Sequence, residues 1–124
     1  MSTVYIISIQ APSEPRVASL CAAVLAHGFH PEVVGGVKGA DIQAGEYFAL
    51  AKRYYIDTGR FMTPGEVGCT MSHAEAWRRI VAGTDDRCVV LEDDALLDAE
   101  FGKRIRALNG CSLLADCLVS LGNL

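Results

Sequence analysis

Three consecutive acids, Glu92-Asp93-Asp94, close the apolar run of residues 88–91. Carboxylates delivered this close together by a strand end suit Mg2+ or Mn2+, above all when diphosphate oxygens complete the shell. The competing reading is a solvated acidic loop that caps the next helix. A second group lies upstream, Gly65-Glu66-Val67-Gly68-Cys69-Thr70-Met71-Ser72-His73. Glycines at a helix start let a ligand approach the backbone, and the free N–H groups there favour an anion. Ser72 and His73 fall inside that helix, where His73 reads either as a hydrogen-bonded structural residue or as a ligand contact. Glu66 is equally a capping residue or a site residue, and Trp77 reads as core rather than as a ligand platform. The third pair is Ser8, at the end of a first strand, and Arg16, in the first turn of the following helix. That corner of an open α/β sheet often cradles a nucleotide.

The elements that must position these groups are legible in outline. Residues 4–9 form a β-branched and aromatic run of strand length. Ser13 is the expected N-cap of a helix with Glu14 and Pro15 in its first turn and Gly28 at its stop. Val17, Leu20, Cys21, Val24 and Leu25 mark its apolar side. Residues 31–37 read as a second strand, so the order strand–helix–strand predicts parallel pairing through a right-handed crossover. A short helix is expected within 44–55, with Phe48, Leu50, Ala51 and Tyr54 on its apolar side, followed by a turn at 57–59. Thr63, Pro64 and Glu66 make a capping box for a helix running to Ala82. Its expected buried face is Val67, Met71, Ala74, Trp77, Ile80 and Val81. Residues 88–91 read as a strand covered on both faces. Asp98 can cap a helix carrying Phe101, Ile105 and Leu108, and residues 117–121 read as a last strand. The expectation is an α/β fold with an open parallel sheet of about four strands.

Composition narrows the class. The chain has 124 residues, enough for one domain spanning 1–124. Hydrophobic residues make up 51%, which argues against disorder. Net charge is −4 with no basic run, so nucleic acid is not an expected partner. The longest uncharged apolar run, 20–26, is too short to span a membrane. The N-terminal residues lack a basic region and a cleavage site and read as strand, not signal peptide. Five cysteines without a C-x-x-C pair read as buried, reduced thiols of a cytoplasmic protein; their spacing does not suggest zinc.

Two other uses of an acid-ended strand fail. A nucleotide-hydrolysing ATPase needs a G-x-x-x-x-G-K-[ST] loop, and the sequence has none. A receiver domain carries its acidic pair on the first strand and needs far more chain downstream than follows Asp94.

Taken in order, the motifs resemble those of glycosyltransferase family 25, the bacterial lipooligosaccharide glycosyltransferases. The likeness rests on a first strand followed by Arg16, the Gly-Glu-x-Gly-Cys-x-x-Ser-His block from Gly65 to His73, Trp77, the Val-Leu-Glu-Asp-Asp run ending at Asp94, and Asp116 before a short strand. The first strand departs from the pattern, with Ser8-Ile9-Gln10 where relatives more often carry Asn-Leu and a charged residue.

The resemblance implies a Rossmann-like, GT-A-type nucleotide-sugar fold and transfer of a sugar, galactose foremost, from a UDP-sugar to a lipooligosaccharide or lipopolysaccharide acceptor. Animal relatives act on collagen hydroxylysine. It implies Mn2+ or Mg2+ as cofactor, with Glu92 and Asp94 as metal residues and Asp94 the direct ligand. Ser8, Arg16, Glu66, Ser72, His73 and Asp93 become the substrate-binding set. The likeness spans the first half of the family's usual catalytic domain, so the part that builds the acceptor pocket and general base is expected to be missing. The rival function is a non-catalytic remnant acting as a nucleotide-binding or interaction module. A sheet stopping early would leave an open edge near residues 117–121, and a homodimer is the expected partner state. The expected location is the cytoplasm, with a peripheral place at the inner membrane as the variant.

Overall fold

β1, Thr3–Ser8, is the central strand, and its side-chain alternation divides the molecule into two faces. The computed structural model of the chain describes residues 2–114 and 117–121. β2, His30–Gly35, and β3, Val89–Glu92, flank β1, both parallel to it, in the order β2-β1-β3. Val4 and Ile6 point to one side and Tyr5 and Ile7 to the other, as the two-residue period of a strand requires.

The first face is covered by α1, Pro15–Ala26, and α4, Phe101–Asn109. Leu20, Val24, Phe29, Phe101 and Ile105 pack there against Val4 and Ile6. The second face is covered by α3, Pro64–Ala82, where Ala76 and Ile80 meet Tyr5, Ile7, Val34 and Val90. α2, Ala44–Thr58, lies outside this sandwich against α3 and buries Ala51 alone. Phe48 and Leu50, expected on its apolar side, are exposed.

Local signals set most element boundaries. The capping box of α3 is formed: Thr63 Oγ1 accepts from the Glu66 N–H at 3.2 Å, and Glu66 Oε2 accepts from the Thr63 N–H at 2.7 Å. α1 begins one residue later than expected, with Glu14 at the N-cap and no side-chain cap, because Pro15 takes the first helical position. Asp98 does not cap α4 directly. It closes the preceding turn, its Oδ1 accepting from the Glu100 N–H at 3.0 Å, and Glu100 takes the N-cap.

Two expectations are corrected here. The buried positions of α3 are Val67, Gly68, Ser72 and Ala76, whereas Trp77 is 49% and Val81 86% exposed. The helix is turned so that Ala76 faces the sheet and Gly68 and Ser72 face the loop after β2, which brings its backbone close to that loop. The sheet has three strands among the described residues; residues 117–121 carry no strand, and Cys117, Val119 and Leu121 are exposed. Asp116 lies outside the described residues. Among the described residues, no helix is long and apolar enough to cross a membrane.

Candidate functional site

The chain leaves β1 through α1 to β2 on one side and reaches β3 on the other, so the carboxyl ends of β1 and β3 meet at a topological switch point. Open α/β sheets bind ligands in the crevice outside that point. Ser8 ends β1 there, and Glu92 ends β3.

Strand alternation divides the acidic triplet. Glu92 is opposite Ile7 and shares its α3 side. Asp93 turns to the α1 side, where it is held from three directions. Ser8 Oγ donates to Asp93 Oδ2 at 2.5 Å, Arg16 Nη2 pairs with Asp93 Oδ1 at 3.1 Å, and Arg16 Nε donates to the Asp93 carbonyl at 3.1 Å. Ser8 Oγ also accepts from the Gln10 N–H at 2.9 Å, so its hydroxyl orientation is fixed. The Ala95 N–H then donates to the Glu92 carbonyl at 3.0 Å, closing a tight turn that exposes Asp94. Two open cavities result. One, of about 440 Å³, lies between α1 and the turn and is lined by Arg16, Asp93 and Asp94. The other, of about 260 Å³, lies toward α3 and is lined by Ser8, Lys38, Cys69, Ser72, Glu92 and Asp93. Glu92 and Asp94 therefore stand on opposite sides of Asp93.

On the α3 side, His73 Nε2 lies 3.1 Å from Glu92 Oε1, and the Cys69 thiol donates to the same oxygen at 3.8 Å. Residues 69 and 73 are one helical turn apart and share a face. Partial burial, and then the neighbouring Glu92 carboxylate, push the Cys69 thiol pKa up. Among the described residues these three side chains form a group whose ligand atoms all lie within 4.8 Å of one another. Sequence reading alone leaves Cys69 among buried thiols. The structure exposes Cys69 and Cys117 and half-buries Cys21, Cys88 and Cys111, all as free thiols. The signal that marks Cys69 was present in the four-residue spacing to His73.

Ser72 and Glu66 have structural duties. The buried Ser72 hydroxyl accepts from the Val37 N–H at 2.7 Å and donates to the Gly68 carbonyl at 2.7 Å, tying the loop after β2 to α3. Besides capping α3, Glu66 pairs with Arg60 Nη1 at 3.0 Å. The Thr63 N–H first and Arg60 second hold its carboxyl below the ordinary range. It does not line either cavity.

Comparison with known proteins identifies the family of the chain. A family model described as glycosyltransferase family 25 (LPS biosynthesis protein) matches residues 1–121. A glycosyltransferase 25 family member of Anopheles gambiae is 30% identical over 109 residues, 84% of this chain and 18% of the relative. A probable inactive glycosyltransferase 25 family member 3 of Rattus norvegicus is 45% identical over 51 residues, covering 41% and 9%. Procollagen galactosyltransferase 1 of Danio rerio is 32% identical over 82 residues, covering 62% and 14%. The chain thus spans less than a fifth of each of these relatives. No solved structure matches it significantly.

Proposed function

The chain belongs to glycosyltransferase family 25, and on that premise we propose that it forms the nucleotide-sugar end of a GT-A-type transferase. The donor is a UDP-sugar, UDP-galactose first, and the acceptor a lipooligosaccharide or related glycan. Galactosyltransferases among the relatives and the family's LPS description support that choice. The observation that carries the reading is the meeting of Ser8, Arg16 and Asp93 at the carboxyl ends of β1 and β3, with Asp94 open beside them.

The donor set fits a hard cation. Asp94 is exposed and has no ion-pair or hydrogen-bond partner among the described residues, and hard cations are often held by one carboxylate plus phosphate oxygens. Asp94 would hold Mn2+ or Mg2+, which, when bound, would neutralise charge on the departing diphosphate. Glu92 faces the other cavity and serves the donor through its ribose. Arg16 fixes both the backbone and the carboxylate of Asp93, so the edge receiving the diphosphate is set before the donor arrives.

Calorimetry with UDP and UDP-galactose, in Mn2+ and in EDTA, tests this. Binding requires the metal, and Asp94→Ala abolishes that requirement. Equal binding in EDTA overturns the metal role. A second reading, nucleotide binding without turnover, is favoured by relatives whose names mark them inactive. Metal-dependent UDP-galactose binding without release of UDP in the presence of acceptor would identify it.

A further inference from the structure

Cys69, His73 and Glu92 combine a thiol, an imidazole and a carboxylate, whereas Mg2+ and Mn2+ prefer oxygen throughout. Sulfur and nitrogen donors favour a borderline-soft cation, and three protein ligands with one position left open is a common Zn2+ arrangement.

The spacing agrees. In a tetrahedral Zn2+ site, Zn–S, Zn–N and Zn–O bonds of ordinary length put sulfur about 3.6 Å and nitrogen about 3.4 Å from the carboxylate oxygen. Cys69 Sγ and His73 Nε2 lie 3.8 and 3.1 Å from Glu92 Oε1, each within a few tenths of an ångström of those spacings, and all three ligand atoms lie within 4.8 Å of one another.

The scaffold is also stiff. Cys69 and His73 sit on the helix clamped by the capping box and by Ser72, and Glu92 ends a strand paired with the buried centre of the sheet. Cys69 and Glu92 are exposed, which gives an ion a way in.

We propose that Cys69 Sγ, His73 Nε2 and Glu92 Oε1 form a binding site for a thiophilic divalent cation, Zn2+ foremost, distinct from the hard-cation carboxylate Asp94. Binding exchanges the Cys69 thiol proton for the metal and releases that proton to solvent. Cys69 and Glu92 both line the cavity shared with Ser8 and Asp93, from which water or a ligand oxygen would complete the shell.

Co2+ is the probe, added to the metal-free chain without nucleotide. The expected result is a near-ultraviolet thiolate-to-cobalt absorption with visible bands of tetrahedral cobalt, all displaced by Zn2+. Trp77 is the sole tryptophan, and its ring centroid lies 6.1 Å from that of His73, so Co2+ also quenches its fluorescence. Cys69→Ser removes the thiolate absorption. His73→Ala weakens binding on the order of a hundredfold, the share of one ligand in a zinc site. Asp94→Ala leaves the cobalt signal unchanged, which separates this site from metal-dependent UDP binding. Absence of thiolate absorption in the unaltered chain, or its persistence in Cys69→Ser, overturns the assignment.

Discussion

Asp93 is the most constrained carboxylate of the acidic triplet. Its two oxygens are divided between Ser8 and Arg16, and Arg16 also takes its carbonyl. The Asp93 side chain is 17% exposed and that of Arg16 52%, so water screens the pair. Arg16→Ala therefore costs about 1 kcal/mol of folding stability or less. Under the proposed function its effect on the donor is larger, because there Arg16 sets the edge that would receive the diphosphate. UDP binding in Mn2+ weakens about tenfold, roughly 1.4 kcal/mol. Urea unfolding and calorimetry on one preparation separate the two. A stability loss with unchanged UDP affinity would make Arg16 a brace alone.

At the scale of elements, α3 and the loop after β2 approach each other closely. An added Cβ on Gly68 would lie 2.6 Å from the Val37 carbonyl oxygen and 3.0 Å from the Gly39 nitrogen, and one on Gly39 would collide with Pro64. Both partners are backbone, so neither can swing aside. The same contact carries the Ser72 bond to Val37 and sets the loop that brings Lys38 into the α3-side cavity. Gly68→Ala is expected to lose about 1–3 kcal/mol, the range for overpacking. Gly45, in α2, has nothing within 4 Å of an added Cβ. Gly45 is in the first turn, so Gly45→Ala should gain about 0.5 kcal/mol, the lower end of the helix-interior propensity range. Urea midpoints moving in opposite directions check the pair.

On the whole-molecule scale, β2 and β3 are both edge strands among the described residues, and apolar side chains lie open on several surfaces. Ile56, Phe61, Trp77, Val81, Leu113 and Leu118 are all exposed. Open sheet edges and apolar surface both favour association. Light scattering at micromolar concentration is expected to show a species larger than the 13.3 kDa protomer, with a two-fold dimer as the simplest closed form. A monomer at that concentration would show that these surfaces do not pair with one another.

The sequence by itself determined the features carried by neighbours in the chain. Strand–helix–strand order, the Thr63–Glu66 capping box and the delivery of acids by a strand end each rest on a few adjacent residues, and each is present. The family is legible for the same reason, since its motifs are short and ordered. Tertiary structure decided which side chains meet. It turned α3 so that Ser72 rather than Trp77 is buried, because the helix lies close against the loop after β2, where only small side chains fit and the Ser72 hydroxyl meets the Val37 N–H. It placed Glu92 with Cys69 and His73, and Asp93 with Ser8 and Arg16, because successive side chains of a strand go to opposite faces covered by different helices. Alternation along β3 can be read locally; what waits on each face depends on helices that come from elsewhere in the chain.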